Sequence, residues 1–362
     1  MAIKLLSDAE LLALPPIEWL VQDFLALDSK ASFWGLTGSH KSFLVFDLAA
    51  SLAAGFSEWQ GLALLPATER DYRHKPLVIY IAAEGGAGLA KRRKAWGQVH
   101  PEIRRMGPLN LHYVVQPVLI HDSSETLASL ETQIDALIDY RQEGDPIVID
   151  ESEEGIWADP EDSENLLEYY PASHAQEWPV LIVIDTLAES FVGDENNTGA
   201  MNAFNYGLAR LRLKYHATIL VIHHCGRDPG HERGSTAFKG GLDSQFEVSM
   251  VEGLKGGRTQ IALRNDKQRE TSSGGEWFFE AVTVTLPKGE TSKAVIPWVE
   301  NPPTGAETLV LQAVRHNGPL SRKDLLKILE GQLSTSSVDK ALVVILENGQ
   351  IIKESMLFRG KL

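Results

Sequence analysis

Short apolar runs alternate with longer amphipathic stretches along most of this chain. Pro76 to Ala83, Val180 to Ile184 and Ala217 to Ile222 are apolar at nearly every position, and Leu111 to Val115 reads as a further strand. Runs of that length predict strands buried on both faces, as in a parallel sheet. Between them, Thr126 to Arg141 carries Leu127, Leu130, Ile134, Leu137 and Ile138 at helical spacing, and Met201 to Tyr215 reads as a second amphipathic helix. Phe43 to Ala54 is apolar apart from Asp47 and Ser51 and predicts a helix ended by Gly55. Further strands are expected at Gln245–Val248, Gln260–Arg269 and Trp277–Leu286, the last closing the domain. The pattern predicts an α/β fold with a mainly parallel central sheet.

The pattern changes at both ends. Residues 1–30 hold Pro15-Pro16, which stop a helical stretch. An extended segment follows, expected to pack on the core, with Trp19 either beside a ligand or in the core. Residues 31–300 form the main domain. Pro302-Pro303-Thr304-Gly305 reads as a linker. Residues 304–362 then show three helical segments, Glu307–His316, Arg322–Glu330 and Ser334–Asn348. A short hairpin at Gln350–Glu354 and Met356–Arg359 completes a winged-helix-like plan. Its third helix holds only Lys340 as a basic residue, so protein docking and DNA recognition stay equally open.

The chain has 362 residues, a single cysteine (Cys225) and a net charge of −15. One cysteine excludes an internal disulfide and fits a reducing, cytoplasmic setting. No apolar run reaches the ~20 residues of a membrane span, and the first residues lack a signal-peptide core. The charge is uneven. From Gln142 to Ala209 there are 16 acidic residues and no Lys or Arg, and the remainder holds 34 basic and 33 acidic residues. Overall acidity therefore does not exclude a nucleic-acid partner. The acidic insertion at about 142–179 is either a surface excursion or a face for a basic partner.

The candidate chemistry begins at Gly35-Leu36-Thr37-Gly38-Ser39-His40-Lys41-Ser42-Phe43. A strand, a small-residue loop and a Lys-Ser pair opening a helix are the parts of a phosphate loop. Loop N–H groups and the helix N-terminus face one anion, Lys reaches β/γ-phosphates, and Ser can ligate Mg²⁺. His40 stands where this motif has glycine. The loop is therefore either atypical or no longer binds nucleotide.

Other strands end in chemistry on the same expected edge. Glu84 follows the second strand and reads as a base for an attacking water or as a turn residue. Asp185 ends Val180–Ile184 and reads as an acid that orients Mg²⁺ or the loop Ser. His223 and His224 end another strand. Adjacent strand residues face opposite ways, so they do not share one metal ion; one faces the γ-phosphate or both are packed. Lys91, Arg92, Arg93, Lys94, Arg104 and Arg105 form a basic helical stretch, either a solvated face at a subunit contact or a DNA contact. A long loop, Cys225–Lys239, carries Arg227, Arg233 and Lys239. Lys267 and Arg269 alternate at a strand end and either reach a neighbouring subunit's phosphate or tip a solvated hairpin.

The motifs GLTGSHKSF, AAEGGAGLAKR, LIVIDTLAESFVGDEN, VIHHCGRD, RGSTAFKGGLD and NDKQRE, in this order, resemble the RepA-type branch of RecA-like ATPases. These are ring-forming replicative helicases and related ATPases of plasmids, phages and mobile elements. The resemblance covers Trp19 to about Leu286. It implies a RecA-like P-loop core, ATP and Mg²⁺ as cofactors, and Gly35 to Phe43 as the nucleotide cradle. Ser42 and Asp185 then hold Mg²⁺, Glu84 is the catalytic base, and His224, before His223, senses the γ-phosphate. Lys267 and Arg269 act in trans. The loops at 193–199 and 226–239 face a channel for single-stranded DNA, with Arg233, Lys239 and more weakly Arg227 on the phosphate backbone. The implied assembly is a hexamer with a replication partner at the C-terminal domain and no membrane contact. A loader or regulator without unwinding activity, and a scaffold with a dead loop, are the competing readings.

Overall fold

The computed structural model of the chain describes residues 5–65, 75–84, 86–105, 108–143, 179–224, 236–254, 258–299, 305–317, 320–347, 351–354 and 357–360. Most of the acidic insertion lies outside the described residues, as do Arg227 and Arg233. The chain divides into two compact units, Met1–Trp298 and Val299–Leu362.

The first unit is built on one nine-stranded sheet. Its strands are β1 (Lys30–Gly35), β2 (Leu77–Ala82), β3 (Leu111–Val114), β4 (Pro179–Asp185), β5 (Thr218–His224), β6 (Ser244–Leu254), β7 (Arg258–Gln268), β8 (Glu276–Thr285) and β9 (Thr291–Pro297). Their order is β9-β8-β7-β6-β1-β5-β4-β2-β3. From β6 through β3 every pairing is parallel; β6 to β9 pair antiparallel. Helices α1 (Lys41–Ala54), α2 (Leu89–Val99), α3 (Glu125–Glu143), α4 (Thr198–Tyr215) and the short α5 (Thr236–Gly241) connect the parallel part.

The apolar runs are explained by coverage on both faces. In β4, Leu181 and Val183 pack with Leu44, Leu48 and Leu52 of α1, whereas Ile182 and Ile184 pack with Leu127 and Ile134 of α3 and Leu208 and Leu211 of α4. Helix α1 is buried past its first turn: every residue from Leu44 to Ala54 is buried. Gly55 ends it in a left-handed conformation (φ 77°), its N–H returning to Leu52. The N-terminal segment contributes Phe24, whose ring stacks on Phe246 at 4.3 Å and meets Trp277 edge-on at 4.8 Å.

Three expectations change here. The strand at Glu276–Thr285 does not close the sheet, because β9 pairs along its outer edge. Helix α4 starts at Thr198, three residues early, because the Asn197 side chain caps the Ala200 N–H. Lys239 sits on helix α5 and not on a long loop.

The second unit holds α6 (Gly305–Asn317), β10 (Leu320–Ser321), α7 (Arg322–Ile328), α8 (Thr335–Glu347), β11 (Ile351–Glu354) and β12 (Leu357–Gly360). The strands order as β10-β12-β11. Val310, Val314, Leu325, Val338, Leu342 and Ile345 form its core. A capping box between Ser321 and Asp324 starts α7, satisfying N–H groups that have no partner inside the helix.

Candidate nucleotide site

Four parallel strands place their carboxyl ends side by side. Gly35 on β1 pairs with His224 on β5, Asp185 on β4 with Ile222 on β5, and Ala82 on β2 with Asp185. This edge is where open α/β sheets bind ligands. After β1 the chain turns through Leu36, Thr37 and Gly38, all exposed, before Ser39 and Lys41, both buried. Lys41 Nζ lies inside the loop and donates to the carbonyls of Gly35 at 2.9 Å and Leu36 at 2.8 Å, and to Ser39 Oγ at 3.4 Å.

His40 adopts the left-handed region (φ 63°, ψ 20°), which accounts for the glycine usual at that position. The loop thus keeps its helix-opening geometry with a histidine, at a strain cost of order 1–2 kcal/mol. Its ring meets Phe43 edge-on at 5.7 Å. Burial and the nearby Lys293 hold its pKa below the ordinary value. Gly35 has a different reason: a Cβ there would lie 2.1 Å from the Val248 carbonyl oxygen.

Ser42 Oγ donates to Asp185 Oδ1 at 2.9 Å. A hydroxyl and a carboxylate are hard oxygen donors of the kind Mg²⁺ takes, with substrate phosphates completing its shell. Asp185 is 3% exposed. Burial raises its carboxyl pKa; hydrogen bonds from Tyr80 and Ser42 and the Arg92 charge act the other way.

Glu84 is exposed just beyond β2, and its N–H and that of Ala83 donate to the Asp185 carbonyl at 3.3 and 2.9 Å. His224 is half-buried, with Nδ1 lacking a hydrogen-bond partner among the described residues. Burial and the Lys41 charge lower its pKa, and Glu84 and Asp185 act on it in the opposite sense. Lys41, Glu84, Asp185 and His224 therefore share one electrostatic neighbourhood. His223 points to the opposite face, buried against Phe238 at 5.5 Å.

A cavity of about 440 Å³ opens beside the loop, between His40 and Phe43 on one side, Gly88 and Arg92 on another, and Thr283 and Lys293 on the third.

A family model described as an AAA domain, AAA_25, matches residues 3–168 and 161–230. The chain belongs to that family. Among curated proteins nothing matches it. Membership in AAA_25 makes the chain a P-loop ATPase of the RecA type, which implies nucleotide binding, usually with Mg²⁺. Among the described residues, no helix is long and apolar enough to cross a membrane.

Lys267 and Arg269 stand apart from this AAA site. Lys267 pairs with Gln245 near the start of β1, at the other end of that strand from the loop. Lys267 Nζ donates to the carbonyls of Lys239 and Leu242, at 2.5 and 2.6 Å. Arg269 bonds Asp243 Oδ1 at 2.7 Å and the Gly240 carbonyl at 3.1 Å. Both tie down the end of α5, and Lys239 itself lies 3.3 Å from Asp266. The loop at 193–199 is exposed apart from half-buried Glu195.

Sequence reasoning missed Tyr80 and Arg92. Tyr80 OH donates to Asp185 Oδ2 at 2.8 Å, and Arg92 approaches the same oxygen at 3.7 Å. A tyrosine inside the apolar run Leu77–Ala82 was a usable signal, since a buried phenol needs a partner. Arg92 was hidden among neighbouring cations.

Proposed function

We propose that the chain is an ATP-driven, ring-forming DNA helicase or translocase of the RepA type, serving replication of a plasmid, phage or mobile element. The observation that carries the ATPase part is the meeting of Lys41, the Ser42–Asp185 pair, Glu84 and His224 at one sheet edge. A scaffold with a dead loop has no use for that set. In this reading the loop N–H groups and Lys41 hold the β/γ-phosphates, and Ser42 and Asp185 hold Mg²⁺. When bound, the ion neutralises charge that develops on the transferring phosphoryl group. Glu84 accepts the proton of the attacking water at its carboxylate. His224 directs its unpaired Nδ1 to the γ-phosphate. The cavity beside Phe43 takes the base and ribose.

Lys267 and Arg269, at the far end of β1 from their own loop, are assigned to the site of the next subunit in a hexamer. Single-stranded DNA is assigned to the ring channel, on the segments at 193–199 and 226–239, through Arg233, Arg227 and, on helix α5, Lys239. Such contacts are mainly to phosphates and salt-sensitive. The C-terminal unit is read as a winged helix that docks a replication partner or DNA.

The test is DNA-stimulated ATP hydrolysis by the wild type and Lys41→Ala. Equal rates in the two would end the ATPase reading. The separate C-terminal unit favours a second reading, an ATP-gated DNA-binding regulator or loader. A strand-displacement assay separates the two: ATPase without unwinding selects the regulator.

A further inference from the structure

Arg92 reads in sequence as one cation in an exposed basic run, but its side chain is only 14% exposed and turns toward the loop. The guanidinium lies 4.6 Å from the centre of the Phe43 ring and 5.9 Å from that of Phe46. It donates to the Ser42 carbonyl at 3.3 Å, reaches Tyr80 OH at 3.5 Å, and stands 3.7 Å from Asp185 Oδ2. The two oxygens of Asp185 are thereby divided. Oδ2 is held by Tyr80 and Arg92, and Oδ1 is left for Ser42.

Resting on the ATPase reading above, we propose that Arg92 is a positioning residue for the metal-binding pair. It fixes the Asp185 carboxylate through Oδ2 and the first turn of α1 through the Ser42 carbonyl. Ser42 Oγ and Asp185 Oδ1 are thus set toward Mg²⁺ before the nucleotide arrives. Arg92 also lines the cavity beside Phe43. It lies on the same connection that carries Glu84. Groups that orient metal ligands from behind typically change metal affinity or activity 10–100-fold when removed.

Binding of a fluorescent, non-hydrolysable ATP analogue, with Mg²⁺ and with a chelator in its place, tests this without turnover. In the wild type Mg²⁺ tightens binding. In Arg92→Gln that gain falls roughly 10-fold or more, beyond any loss of affinity seen in chelator. Arg92→Lys, which keeps the charge without the planar fork, regains part of the gain. Tyr80→Phe removes only the hydroxyl on Oδ2 and is expected to fold; its Mg²⁺ gain falls several-fold in the same direction. Full Mg²⁺ gain in both Arg92→Gln and Tyr80→Phe, with loss of it in Asp185→Asn, overturns the role of Arg92 and leaves the ATPase reading intact. Equal losses with and without Mg²⁺ also overturn it, since they mark a packing role. A wild type that binds no analogue overturns the ATPase reading and this proposal together.

Discussion

Ser42 Oγ and Asp185 Oδ1 lie 2.9 Å apart although 143 positions separate them in the chain. The contact joins the first turn of α1 to the end of β4, and Tyr80 and Arg92 hold the other carboxylate oxygen. Asp185→Asn keeps the shape and removes the charge. ATP hydrolysis at saturating Mg²⁺ should fall about 100-fold or more, while circular dichroism and thermal melting change little. Steady-state ATPase rates check this.

The Glu84 side chain is exposed, while its backbone N–H meets the Asp185 carbonyl. Glu84→Gln should therefore leave nucleotide binding nearly unchanged and lower turnover by about 100-fold to 10,000-fold, the range for loss of a general base. Filter binding of the nucleotide beside single-turnover hydrolysis separates the two quantities.

The loop's geometry predicts different outcomes at its two ends, Gly35 and His40. Gly35→Ala drives a Cβ into the Val248 carbonyl and should cost about 2–4 kcal/mol of stability. His40 already tolerates its left-handed conformation, so His40→Gly should stay within about 1 kcal/mol of the wild type. A β-branched His40→Val should cost about 1–3 kcal/mol. Denaturant melts of the three variants give the order.

Below the loop, buried Asp47 accepts from Trp59 and Gln60 at 2.7 Å each and from Trp96 at 2.9 Å, with His100 at 3.4 Å. Burial works against the charged form of His100, but Asp47 and then Glu102 outweigh it and raise its pKa above 6.5. A raised value in the folded state means stability fully present below the unfolded value and lost as pH climbs through the folded one. The melting temperature should therefore fall as pH rises from about 6.5 upward, and His100→Gln should flatten that slope. Asp47→Ala leaves several buried donors unpaired and should cost roughly 3 kcal/mol.

Lys267 and Arg269 serve a neighbour in the proposed assembly. Lys41→Ala and the double variant Lys267→Ala/Arg269→Ala should each be nearly inactive alone. Mixed, they should regain a fraction of wild-type ATPase, because some interfaces then join an intact loop to intact cations. No recovery in subunit-exchange experiments would remove the trans assignment.

Much of the site was legible because its parts are local. Apolar runs ending in Asp185, Glu84 and His224 announce strand ends, and parallel strands put those ends on one edge. The helix stop at Gly55 needed only its immediate neighbours. What stayed hidden depends on distant partners. Arg92 looks like Lys91 and Lys94 until Phe43, Tyr80 and Asp185 surround it. Lys239 sat in a segment without apolar periodicity, and its helix is set by Phe238 packing on α4. Strand β9 was missed because Thr291–Pro297 has few apolar residues and earns its place by pairing along β8.

The basic tip lies level with the start of β1, and the phosphate loop follows its other end. Under the proposed trans role, each copy has a donor end and an acceptor end that face away from one another. A two-fold dimer cannot satisfy both pockets with such a layout; only head-to-tail association can, and it leaves one pocket unfinished until the chain of copies closes on itself. Closure would then supply the one pocket that an open row leaves unfinished, and only in the closed form would every copy turn over.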